Sequence, residues 1–258
     1  MELPGKNILE VRALHKTFGG VVAIGHVTFD VEEGQIVGVI GPNGAGKTTL
    51  SNLITGFLPP YQGDIFFKGK SLRGKMAHSI ASLGIARTFQ NLQVFTNMSV
   101  VENVMTARHL QSRAGIFGTA FRMPYSRREE KHILEAAMAN LDRVGLRDEA
   151  FAPPLSLPYG KQKLVEIARA LATEPTLLLI DEPAGGLATH EIEQLARLIS
   201  EIRGGGITCL LVEHRMELVM GIADRVIVLN FGMKIAEGST EEIQSNEKVI
   251  AAYLGEKF

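Results

Sequence analysis

Apolar positions near the start of the chain come in short runs, at residues 21–24, 27–31 and 35–40, separated by glycine or charge. Runs of this length and spacing predict strands. Residues 41–46 break the pattern. Residues 47–57 then carry Leu50, Leu53, Ile54 and Phe57 at the spacing of one helical face. Pro59, Pro60 and Gly63 end that helix, and residues 64–68 read as another strand. From about residue 94 to 158 helical periodicity takes over. Residues 129–144 align Ile133, Leu134, Ala137, Met138, Leu141 and Val144 on one face. Residues 113–126, with glycine, proline and aromatics, read as a long connection.

Beyond Gly160 a helix is predicted over 162–173, with Leu164, Ile167, Ala168 and Leu171 inward. An apolar strand follows at 176–180. A further helix is predicted with Thr189 as its N-cap and Ile192, Leu195, Ala196, Ile199 and Ile202 on its stripe. Glycines 204–206 stop it before a buried strand at 207–212. Strand, helix, strand at this spacing is a βαβ unit, which favours a parallel sheet. Residues 225–230 and 234–237 add strands, and the chain closes helically. The pattern predicts an α/β core, residues 1–93 and 159–258, interrupted by a helical insertion over roughly 94–158.

The 258 residues are 45% hydrophobic and 21% charged, so a substantial core is within reach. A formal net charge of −1 gives no field that would draw nucleic acid. The lone cysteine, Cys209, rules out an internal disulfide, which fits a reducing compartment, and its apolar run makes it a core residue. The opening residues lack a basic segment followed by an apolar stretch, so no secretory signal is expected. No apolar run reaches eighteen residues, so no membrane-spanning helix is expected.

Chemistry concentrates where the first strands give way to the first helix. Gly41, Pro42, Asn43, Gly44, Ala45, Gly46, Lys47 and Thr48 match G-x-x-x-x-G-K-[ST], the phosphate-binding loop, and Thr49 continues into the helix. Glycines let successive N–H groups turn toward phosphate oxygens, and the helix N-terminus adds partial positive charge. Lys47 reaches the terminal phosphates of a nucleotide, and the Thr48 hydroxyl is a ligand for Mg²⁺. A second metal anchor is needed. The run LLLIDEP delivers Asp181 at the end of an apolar strand, where ligands bind in open α/β sheets. Glu182 follows, placed to polarise an attacking water as general base. The alternative for the two acids, a helix-capping pair, loses ground beside the loop.

On these motifs the chain resembles the ATP-binding subunits of ABC transporters over essentially its whole length. Phe18 stands where that family stacks an aromatic on adenine, though a core aromatic is the alternative. Gln90, in RTFQN, stands at the glutamine that joins core to helical subdomain and senses the γ-phosphate and metal; a surface amide is the alternative. LPYGKQKLVEIARAL stands at the signature motif, with Tyr159, Gly160 and Lys161 as nucleotide contacts across a dimer. AGGLAT stands at the D-loop. His214, in LLVEH, stands at the switch histidine, with a helix cap as the alternative.

The resemblance implies a P-loop NTPase core with a mainly parallel sheet, an N-terminal antiparallel β subdomain and the inserted α-helical subdomain. It implies Mg-dependent ATP hydrolysis with Glu182, His214, Lys47 and Gln90 catalytic, and Thr48, Gln90 and Asp181 at the metal. It also implies a head-to-tail pair with a second ABC ATPase, like or unlike, on transmembrane permease subunits, and indirectly a solute-binding protein. The chain would then lie at the inner face of the cell membrane. Segments such as ITGFLPPYQGDI, DEPAGGL and the ending VIAAYLGEKF are most similar to the ATPases of branched-chain amino-acid importers. Urea, amide and lipopolysaccharide systems have related ATPases. A non-transport ABC ATPase and a non-catalytic nucleotide-binding module are the readings from other classes.

Two departures stand out. The family's LSGGQ is LPYGK here, so Pro158 removes a hydroxyl and an N–H, while Lys161 brings a compensating charge. At the D-loop, Ala188 replaces the usual carboxylate. The chain's own loop is therefore expected to be competent and the site it completes across a dimer to be weakened.

Overall fold

The computed structural model describes residues 6–59, 61–89, 92–108 and 124–254. The chain divides into two units, one comprising Met1–Arg87 with Thr176–Phe258 and the other Thr88–Pro175.

The first unit opens with β1 (Asn7–Phe18), β2 (Val21–Glu32) and β3 (Ile36–Ile40), then α1 (Lys47–Ile54). It continues through β4 (Gln62–Phe67), β5 (Lys70–Ser71), α2 (Ala77–Ser82) and β6 (Ile85–Arg87). The runs at 21–24 and 27–31 are one strand, because Gly25 and His26 between them form an irregularity in the pairing with β1, His26 at a φ of 55°, rather than a chain reversal. Helix α1 stops at Thr55, short of the predicted end. Gly56 follows at a φ of 72°, and Phe57 is exposed, so it does not share the core face with Leu50 and Leu53.

The second unit holds α3 (Val100–Arg108), α4 (Pro124–Arg143) and α5 (Tyr159–Leu171). Here the structure redraws the predicted boundary. Helix α5 was expected with the α/β core, yet it packs on α3 and α4 and belongs to the helical unit. The buried set Val100, Val104, Ile133, Ala137, Leu141, Val165 and Ala168 supplies that packing. Its inward face also carries Lys163 and Glu166, while Leu164 is only half-buried. A capping box starts α3: Ser99 donates from N and Oγ to Glu102 Oε2 at 2.7 Å, and the Glu102 N–H returns to Ser99 Oγ.

The chain then re-enters the first unit with β7 (Leu177–Asp181), α6 (Thr189–Gly204), β8 (Thr208–Val212) and α7 (Met216–Ile222). It ends with β9 (Arg225–Asn230), β10 (Met233–Gly238), α8 (Thr240–Gln244) and α9 (Glu247–Leu254). The N-cap of α6 is Ala188, one residue before the predicted Thr189. Alanine offers no oxygen, and Glu191 Oε2 accepts the Ala188 N–H at 2.8 Å instead.

Two sheets form among the described residues. One is antiparallel in the order β2-β1-β4-β5; the other runs β10-β9-β3-β8-β7-β6, parallel from β9 to β6 with β10 antiparallel at its edge. Strands β3, β7 and β8 are buried at every position, as an apolar strand covered on both faces must be. Their core continues through Leu50 of α1 to Leu9, Val11, Ile24 and Ile65 of the antiparallel sheet. No helix among the described residues is long and apolar enough to cross a membrane.

Candidate nucleotide site

Strand β8 lies between β3 and β7, with Val212 opposite both Val39 and Asp181. The C-terminal ends of these three strands therefore stand side by side. They deliver Gly41 onward, Asp181–Glu182 and Glu213–His214 to one edge of the sheet.

The loop from Gly41 to Gly46 owes its course to close backbone approach. A Cβ on Gly41 would lie 2.1 Å from the Leu229 carbonyl oxygen. Gly46 caps α1 at a φ of 100°, where a Cβ would meet the Ala23 oxygen at 2.5 Å. Only glycine fits either place. Gly46 offers no side-chain acceptor to the first turn of α1, and no acidic residue stands there. That helix end keeps its positive potential for an anion. Around Gly44 a Cβ would meet nothing within 4 Å, so open space adjoins the loop. The loop is also tied from outside, since the Gly232 N–H donates to the Ala45 oxygen at 3.0 Å. The ammonium of Lys47 is buried and donates to the Gly41 oxygen at 2.6 Å and the Pro42 oxygen at 3.0 Å.

Asp181 is buried and meets Arg87 at 2.5 Å. The Arg87 guanidinium also donates to Asn52 Oδ1 at 2.7 Å and Thr55 Oγ1 at 3.1 Å, both on or beside α1. Burial raises the Asp181 carboxyl above its ordinary range, and Arg87 opposes that rise. Glu182 sits at a φ of 45°, left-handed backbone that a non-glycine residue adopts at a cost. Its N–H donates to the Val212 oxygen at 2.8 Å, which fastens the turn to β8. Nδ1 of His214 lies 3.7 Å from Glu182 Oε2 and 3.6 Å from Glu213 Oε2. The predicted base and switch histidine are thus neighbours. Phe18 ends β1 half-exposed, with the Lys16 ammonium 5.2 Å from its ring centre. Gln90 lies outside the described residues.

The signature residues belong to the helical unit. Pro158 is the N-cap of α5 at φ −53° and ψ 150°, and Tyr159 stands exposed on its first turn. Lys161, read as a charge that partly compensates for Pro158, pairs with the Glu149 carboxylate. Glu166, buried on α5, accepts the Gln93 N–H at 2.8 Å, and Arg169 donates to the Gln93 oxygen at 2.5 Å. The segment just beyond Gln90 is fastened to the signature helix in this way.

Arg87, Glu166 and Glu213 were not singled out from the sequence. Each is a charged residue inside or beside an apolar run, and that interruption is the signal that marks them.

The chemistry of the donor set fits magnesium. No cluster of three or more His, Cys, Asp or Glu side chains gathers among the described residues. One carboxylate, Asp181, and one hydroxyl, Thr48, are hard oxygens of the kind that share this ion with a nucleotide's phosphates.

Glycine-cleared backbone, a lysine at its end and a buried acid two strands away define a P-loop ATPase. A family model described as ABC transporter matches residues 24–185, and one described as branched-chain amino acid ATP-binding cassette transporter matches residues 233–258. The chain belongs to the ABC transporter family, as an ATP-binding cassette that hydrolyses ATP. It is 44% identical over 250 residues to LivG of Salmonella typhimurium, a high-affinity branched-chain amino acid transport ATP-binding protein. The match spans 96% of this chain and 98% of that one. BraF of Pseudomonas aeruginosa, of the same description, is also 44% identical over the same shares. A solved ABC-transporter cassette in its ADP conformation is 33% identical with a TM-score of 0.84, covering 97% of this chain and 99% of that chain.

Proposed function

We propose that this ATPase powers an importer of branched-chain amino acids from the inner face of the cell membrane, docked on transmembrane permease subunits and paired with a second cassette. An external solute-binding protein would present the cargo. The observation that carries the reading is the family-specific C-terminal segment at residues 233–258, in a chain whose relatives of that description align nearly end to end.

Within the site, backbone N–H groups of Gly41 to Thr49 and the Lys47 ammonium hold the nucleotide's terminal phosphates. Phe18 supplies the adenine platform. Thr48, Asp181 and Gln90 are the residues that would hold magnesium, which supplies charge neutralisation at the phosphates when bound. Glu182 takes the proton of the attacking water, and His214 beside it steadies the developing charge. Tyr159, Gly160 and Lys161 serve the nucleotide of the opposing cassette.

The test is uptake of radiolabelled leucine, isoleucine and valine in cells carrying the parent or Lys47→Ala. Uptake is expected to fall at least tenfold in the variant, alongside lost Mg-dependent ATP affinity. Unchanged uptake with lost ATP affinity would overturn the substrate reading.

A further inference from the structure

Glu213 has no role so far, yet it is fully buried at the edge where the catalytic groups meet. A carboxylate there needs hydrogen bonds, because an unpaired buried charge is costly. Its partners are backbone groups from two loops. Oε1 accepts the Ala184 N–H at 2.8 Å. Oε2 accepts the His214 N–H at 2.6 Å and the Arg215 N–H at 2.7 Å. Its own N–H donates to the Val39 oxygen at 3.1 Å, on the strand that leads into the phosphate loop.

We propose that Glu213 is a positioning residue for hydrolysis, holding the Glu182 turn and His214 in register with the phosphate loop; this rests on the catalytic roles given above to Glu182 and His214. A strained backbone persists only where its surroundings over-determine it. The left-handed Glu182 is pinned on one side by its N–H to the Val212 oxygen. Two residues on, the Ala184 N–H held by Glu213 pins the other side. The second oxygen of the same carboxylate fixes the backbone of His214. One acid therefore couples the general base to the histidine beside it.

A carboxylate is suited to this because both its oxygens accept. A glutamine of the same shape has one accepting oxygen and one donating NH₂. Whichever way it turns, a donor faces a donor, at Ala184 or at the His214–Arg215 pair, and one loop is released.

The test measures Glu213→Gln in the full chain for thermal unfolding, Mg-ATP affinity, steady-state kcat and KM, and hydrogen exchange at Ala184, His214 and Arg215. The expected result is a folded protein with affinity and KM within twofold. Its kcat falls at least tenfold, and exchange protection is lost at Ala184 or at the pair. A purely structural residue would lower the unfolding temperature without changing kcat per folded molecule. A folded Glu213→Gln with kcat within twofold overturns the proposal, as does a loss that resides in KM. If Glu213→Gln does not fold, the same readings on Glu213→Asp decide, since its shorter arm cannot bridge both loops. Glu182→Gln and His214→Ala run alongside. Full activity in those two would overturn the catalytic roles themselves. Their loss beside an unaffected Glu213 variant overturns only the positioning role.

Discussion

Arg87 shows how much of the site rests on a residue that the sequence did not single out. Its guanidinium joins Asp181 to Asn52 and Thr55, and it lies 5.9 Å from the Phe57 ring centre. Removing one partner of a buried ion pair leaves the other charge uncompensated, at about 3–5 kcal/mol. Arg87→Met is therefore expected to lower the urea-unfolding free energy by that order, with a smaller loss in the double variant Arg87→Met, Asp181→Asn. An equal loss in both would mean that the pair itself contributes little. The phosphate loop and Asp181–Glu182 were legible in the sequence because their chemistry demands fixed spacing beside apolar strands. Arg87 and Glu213 carried only the weaker signal of a charge interrupting or ending an apolar run, because the contacts that give them a role, to Asn52, Thr55 and Asp181 and to Ala184, are distant in sequence and are made by the fold.

Elements were legible where the pattern was unbroken, as in the wholly apolar β7 and β8 and the periodic α6, and less so at their ends. The N-cap of α6 shows why. A threonine is the better cap by propensity, yet Glu191 reaches back to Ala188, and a side chain three residues inside set the start. Helix α5 was placed with the α/β core although it packs on α3 and α4, because periodicity marks an inward face without saying which unit that face meets. Strand β8 carries Cys209, whose thiol burial pushes up to about 12. At pH 8 the native protein is expected not to react with Ellman's reagent, whereas denatured chain releases one equivalent of thionitrobenzoate. Rapid reaction of the native protein would show that β8 opens readily.

At the scale of the whole chain, the site it carries and the signature it offers differ in quality. The phosphate loop, Asp181 and Glu182 are all present, whereas Pro158 lacks a hydroxyl and Lys161 is engaged by Glu149. In a transporter assembled with a second, unlike cassette, Glu182→Gln here is expected to remove most ATP turnover. The corresponding change in the other cassette should cost much less if, as proposed, this chain's LPYGK serves that nucleotide. Equal losses by phosphate release would rule out the asymmetry. Sheet order carries a further consequence. β3 finds its two neighbours, β8 and β9, only at residues 208–230. Until translation reaches that region, the strand leading into the phosphate loop has no ladder to join, and loop closure over so long a span is slow. Nucleotide competence is therefore expected only once residue 230 has left the ribosome, so nascent chains arrested before that point should not retain ATP.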